Sequence, residues 1–232
     1  GYAAWDLPFH QTARSSGDFP SATRRPELRL RERSLPPNGQ IPAYEWNFGD
    51  VNPPVHSWAT WFIYLVEKET TGKGDIAFLK SAFHKLLLNF TWWVNRKDRN
   101  GRNVFEGGFL GLDNIGVFDR SSPLPTGGYM EQADGTAWMA LFSQNMLDIA
   151  LELAEHDTAY EEMAIKFVEH VLYISAAIDR IGEHPDEMRA EDDGFFYAVP
   201  RVPDGHPTRL QVRSLVGHLP LSPVTGIPGN PL

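Results

Sequence analysis

Four stretches of the chain carry apolar residues at helical spacing, and they fall into two pairs with very short connections. This feature limits the fold most, because helices joined so closely must run antiparallel and bury facing stripes. The first helix starts after Asn52 at Pro53 and Pro54, with Val55, Trp58, Ala59, Phe62, Leu65 and Val66 on one face. Gly72 and Gly74 stop it. Asp75 caps the second, whose face is Ile76, Leu79, Phe83, Leu86, Leu87, Phe90, Trp93 and Val94. A third helix spans about Gln132 to His156, with a stripe of Trp138, Leu141, Phe142, Met146, Ile149, Ala150 and Leu153. Asp157 caps a fourth, with Tyr160, Met163, Ala164, Phe167, Val171, Ile174, Ile178 and Ile181 inward. From Gly194 to Leu219 the pattern alternates and breaks at Pro203-Asp204-Gly205, which predicts a β-hairpin with Phe195, Phe196, Tyr197 and Val199 facing Leu210 and Val212.

Each helix pair is preceded by a long loop, residues 41–54 and 101–130. The order predicts a mainly α fold of helical hairpins, with both long loops on one face and a β-hairpin near the C-terminus. A plain helical bundle accounts for the stripes equally well, but gives no use for two long aromatic and acidic loops. Residues 11–40 differ from the rest. They are rich in Arg, Ser and Pro, lack a period of two or 3.6, and read as an irregular segment. Residues 222–232 are Pro/Gly-rich and read as a frayed tail.

The second loop holds EGGFLGLDNIGVFDR, Glu106 to Arg120. Its glycines let the backbone bend and approach a ligand closely. Glu106, Asp113 and Asp119 sit there among Phe109, Leu110, Leu112, Ile115, Val117 and Phe118. A carboxyl held among apolar side chains acquires a raised pKa, as a general acid needs. The same residues also suit a surface turn whose acids cap their own backbone.

Composition narrows the partners. A net charge of −9 argues against nucleic acid and against an anionic membrane surface. With no cysteine, disulfides and thiolate chemistry are excluded. No secretory segment or membrane-spanning run is visible, so a cytoplasmic location is the expectation. Several of the seven tryptophans crowd into polar loops, where an indole can stack on the C–H face of a sugar.

Three segments, in order, resemble glycoside hydrolase family 63, in particular its bacterial glucosidase-like and mannosylglycerate hydrolase-like members. They are Trp5-Asp6 in YAAWDLPFH, PAYEWNFGDVNPPVHSWATW from Pro42 to Trp61, and the Glu106–Arg120 loop. The resemblance implies part of an (α/α)6 toroid and an inverting hydrolase of an α-glucosidic or related bond, with Asp113 as general acid; no cofactor or metal is expected. It also implies a carbohydrate substrate, with Trp5, Asp6 and Glu106 at family positions; by residue type and place in the loops, Glu45, Trp46, Asn47, Asp50, His56, Arg120, Gln132 and Asp134 are further candidate contacts. In the family a helix occupies the place of residues 11–40, so the segment is either an insertion or sequence that no longer encodes that helix. The family's general base, a downstream Glu, has no counterpart in this chain. The expectation is therefore a fragment that is not competent alone. A noncatalytic carbohydrate-binding helical domain is the competing reading. It would keep the loops and need no acid–base pair. Several residues have plain structural alternatives: helix capping or turn bonding for Asn47 and Asp50, capping for Gln132 and Asp134, a satisfied core role for His56, a surface pair with Asp119 for Arg120, and a structural role for Glu106. The acidic run Glu183, His184, Asp186, Glu187, Glu191, Asp192 and Asp193 fits no ordered ligand set and reads as a solvated loop.

Overall fold

The computed structural model describes residues 5–15, 37–44, 47–110, 116, 118–120, 122–178, 188–203 and 208–221. Among these are α1 (Asp6–Ser15), α2 (His56–Thr71), α3 (Ile76–Lys97), α4 (Ala133–Ala154) and α5 (Ala159–Ile178). The short strands are β1 (Pro42–Tyr44), β2 (Asn47–Val51), β3 (Tyr129–Glu131), β4 (Arg189–Ala190), β5 (Phe195–Phe196) and β6 (Val199–Arg201). Two 3-10 turns, Leu215–Gly217 and Leu219–Leu221, pack on α4. The result is the expected partial helical toroid, mainly α, with its strands confined to the loops.

α4 is the centre. It packs against α2, α3 and α5, and is buried around almost its whole circumference. On a helix so enclosed a buried polar group is costly unless paired, and several find partners. Ser143 Oγ donates to the Met139 carbonyl at 2.8 Å, and Asn145 Nδ2 donates to Ser57 Oγ at 3.4 Å. α3 behaves as its stripe predicts. The Asp75 carboxylate accepts from the Phe78 amide at 2.9 Å, and Phe78, Leu79, Phe83, Leu86, Phe90 and Trp93 are buried. Gly72 ends α2 in the left-handed conformation, φ 74°, as a C-terminal glycine should.

Three expectations are corrected. In α2 the buried face is Ser57, Ala59, Thr60, Ile63 and Tyr64, whereas Phe62 and Leu65 are 37% and 39% exposed. The helix has apolar residues on two sides, and the side bearing Trp58 and Phe62 meets α1 through Phe9, at 5.7 Å from the Trp58 ring. Residues 11–15 are helical, as the second half of α1; residues 16–36 lie outside the described set. The C-terminal hairpin does not form as a pair of long strands. β5 pairs with β4, and β6 pairs antiparallel with β3 from the second long loop, with Met130 opposite Pro200. Of the predicted pairing only a bridge between Ala198 and Leu210 is present among the described residues. Tyr129–Glu131, which runs directly into the start of α4, supplies the partner edge for β6. Ile181, residues 204–207 and the tail 222–232 lie outside the described residues.

Candidate functional site

The two long loops meet on one face, at the N-terminal ends of α2 and α4. β1 and β2 form a small hairpin before α2, pairing Pro42 with Val51 and Tyr44 with Asn47. From β2, the buried Asp50 carboxylate reaches across to the second loop and accepts from the Phe109 amide at 3.0 Å. Gln132, just before α4, accepts from the Gly107 amide and donates to the Gly108 carbonyl at 3.0 Å. Gly108, φ 68°, has no alternative: a Cβ there would lie 2.6 Å from Asp50 Oδ1.

Between these loops opens a cleft of about 330 Å³, bounded by Asp50, Lys97, Glu106, Gly108, Asp119, Arg120, Tyr129 and Gln132, among others. Four of these residues, Asp50, Glu106, Arg120 and Gln132, were expected at the site from the sequence. Glu106 is held by a two-pronged pair with Arg99, Nε to Oε1 at 2.8 Å and Nη2 to Oε2 at 3.2 Å. The Arg99 guanidinium also lies 4.6 Å from the centre of the Tyr129 ring. Arg120 reaches both carboxylate oxygens of Asp134 at 2.5 Å, and the side chains are only 5% and 0% exposed. Burial pushes the Asp134 carboxyl above its ordinary value, while Arg120 and the nearby backbone amides pull the other way. Lys97 has its pKa lowered, first by burial, against the opposing pull of Glu106 and Asp50.

Other predicted residues fall elsewhere. Trp5 is partly buried with its ring edge on Phe9, centroids 6.1 Å apart, and Asp6 is exposed in the first turn of α1; neither is among the described residues lining the cleft. His56 Nε2 lies 3.0 Å from Asn89 Oδ1, and the ring meets Phe142 edge-on at 5.3 Å. Asn89 Nδ2 donates to the Gly39 carbonyl at 2.7 Å, so its oxygen faces His56 and the imidazole proton belongs on Nε2. Desolvation lowers the His56 pKa to about 4, so this is a neutral packing histidine and does not line the cleft. Glu45, Trp46 and Asp113, and the side chain of Asn47, lie outside the described residues. Of the acidic run, Asp193 accepts from the Tyr197 hydroxyl at 2.5 Å and from Arg213 at 3.4 Å, Glu191 is exposed, and residues 183–187 lie outside the described set.

The chain shares its architecture with solved proteins of Thermus thermophilus. One is an uncharacterized conserved protein, at TM-score 0.68 and 17% identity, covering 94% of this chain and 63% of that one. Another is a GH63 mannosylglycerate hydrolase solved with Tris and D-glycerate, at TM-score 0.67 and 15% identity, covering 95% of this chain and 66% of that one. The same hydrolase solved with glucose matches at TM-score 0.67 and 14% identity, over 94% and 65%. The fold is family-63-like. At such identities the likeness establishes the fold alone. No family model matches the sequence. An uncharacterized protein of Saccharomyces cerevisiae is 52% identical over 231 residues, which is 95% of this chain and 21% of that protein, so the chain spans about a fifth of its curated relative.

Within this family-63-like fold the sequence motifs missed Lys97, Arg99 and Tyr129. Lys97 and Arg99 sit at the end of α3, where basic residues read as partners of the helix dipole. The usable signal was position: residues immediately flanking a long loop line its mouth. Glu131 was also missed. It is 4% exposed and bridges Arg102 at 2.5 Å and Arg201 at 2.7 Å, tying β3 to β6 behind the cleft.

Proposed function

We propose that residues 1–232 form part of one (α/α) toroid domain of a glycoside hydrolase that inverts configuration at an α-glucosidic or related α-glycosidic bond. The observation that supports it is the joining of the two long loops across one face, around a cleft with carboxylates, on a fold like that of a known glycosidase. Asp113 serves as general acid and delivers its proton to the leaving oxygen as the sugar becomes oxocarbenium-like. In the sequence Asp113 lies between Leu110 and Arg120, and Gly108, Asp119 and Arg120 line the cleft. Glu106, oriented by Arg99, offers a carboxylate to sugar hydroxyls, and Tyr129 gives a ring for a sugar face. The buried Arg120–Asp134 pair holds the returning strand of the loop in place. The general base, a carboxylate about 6.5–9.5 Å from the acid on the opposite side of the sugar, comes from outside this chain.

The test is a panel of α-glucosides and related α-glycosides offered to the full-length protein, with the product anomer followed by NMR. Inversion releases the β-anomer first. Release of the α-anomer contradicts an inverting mechanism, and no turnover on any member contradicts the glycosidase reading.

A further inference from the structure

We infer that Asp50 and Gln132 act as positioning residues, a two-sided brace that sets the backbone leading into Asp113; the catalytic half of this inference rests on the glycosidase reading above. Asp50 is 4% exposed and Gln132 2% exposed, and each spends its side chain on peptide groups of the loop. Asp50 Oδ1 accepts from its neighbour Val51 at 3.2 Å and from Phe109 at 3.0 Å. Gln132 Oε1 accepts from the Gly107 amide, and Nε2 donates to the Gly108 carbonyl at 3.0 Å. Its side-chain amide thereby stands in for the neighbouring strand that this stretch lacks. The bracing is continuous with the residues before it. The Phe105 amide donates to Thr136 Oγ1 at 2.9 Å, the Phe105 carbonyl accepts from the Gln132 amide at 2.9 Å, and the Glu106 amide donates to the Lys97 carbonyl at 2.8 Å.

The two glycines make this close approach feasible. A Cβ on Gly107 would fall 2.9 Å from Gln132 Oε1, and one on Gly108 would fall 2.6 Å from Asp50 Oδ1. Leu110 then turns the chain in the left-handed region, φ 45°, with its side chain 1% exposed. A non-glycine residue holds that conformation only where its surroundings over-determine it. The stretch from Phe105 to Leu110 is therefore a braced platform, and Asp113 lies three residues after it in the sequence. Both side chains are buried against the loop backbone and act on the chemistry through the loop.

The experiment uses the full-length protein with Asp50→Leu and Gln132→Met, and with Asp50→Asn as the conservative variant that keeps an acceptor oxygen. Misplacing the acid should lower kcat on α-glucosides with poor leaving groups by about 10²-fold, with KM little changed. Glucosyl fluoride, which needs little acid help, should lose less than about threefold, and Asp50→Asn should recover most of the loss. A raised KM at unchanged kcat, or an equal loss on both substrates, would overturn the inference in favour of direct sugar contacts. Hydrogen exchange separates the two ideas. The Gly107 and Phe109 amides should be protected in the wild type and exchange at least roughly tenfold faster in Gln132→Met and Asp50→Leu respectively, with α3 and α4 unchanged. Wild-type turnover failing on every glycoside sinks the glycosidase reading while these amides still decide the brace; rapid exchange at both in the wild type sinks the brace itself.

Discussion

In the helical layer, Phe90 meets Phe142 and Phe167 edge to face at 5.1 Å, and Phe83 meets Phe167 at 6.1 Å. On the loop-bearing face, a comparable stretch of chain is held by Asp50, Gln132 and Thr136 on backbone amides, and by the Arg120–Asp134 and Glu131 ion pairs. The first region is stabilised by non-directional burial that tolerates any apolar residue of suitable volume. The second depends on directional bonds that work at one geometry only. Both regions therefore contribute to stability, but only the loop contacts also set where the cleft groups stand.

The largest effect sharpens this contrast within stability itself. Phe83→Ala should cost about 3–5 kcal/mol by denaturant titration, through lost burial and a residual cavity. Arg120→Met should cost a similar 3–5 kcal/mol, because it strands the Asp134 carboxylate without its partner. The two differ on repair: adding Asp134→Leu to Arg120→Met should recover most of the loss, since an apolar pair needs no partner charge. An Arg120→Met cost below about 1 kcal/mol would show that the pair is solvated and that it does not hold the loop face.

His56 tests the junction of the two regions. Its folded pKa, about 4, lies below the ordinary 6.5, so the unfolded chain binds the extra proton between those values. Stability should be flat above about pH 6.5 and fall as the pH drops towards 4, by at most about 3 kcal/mol from this residue. The lowered pKa of His170 adds in the same direction. His56→Gln should flatten the slope in melting temperature against pH; an unchanged slope would place its origin elsewhere. The smallest effect belongs to the outer surface. Lys166→Ala removes a pair with Glu169 whose side chains are 56% and 45% exposed, and should change stability by less than about 0.5 kcal/mol.

How much of this was legible in the sequence depends on the distance over which each contact acts. α3 was readable because its cap, Asp75, and its single apolar stripe are local. α2 was misread because it carries apolar residues on two sides, and periodicity alone does not say which side meets α4 and which meets α1. Both loops were recognised as sharing a face from the order of helices, and the Asp50–Phe109 bond joins them across 59 positions. The partners were not readable. Arg120 stands beside Asp119 in sequence, yet its side chain binds Asp134. Likewise β6 takes β3 as its neighbour where the local turn signal pointed to residues 208–212. Side-chain-to-backbone bonds leave no periodic trace, so the backbone partners of Asp50 and Gln132 in the second loop were not readable from the sequence.

The most direct test of the central claim is Asp113→Asn in the full-length protein, which keeps the shape of the side chain and removes the proton it would donate. The expected result is a loss of about 10²–10⁴-fold in kcat on an α-glucoside with a poor leaving group, and little loss on glucosyl fluoride. Unchanged turnover of the poor-leaving-group substrate would contradict it.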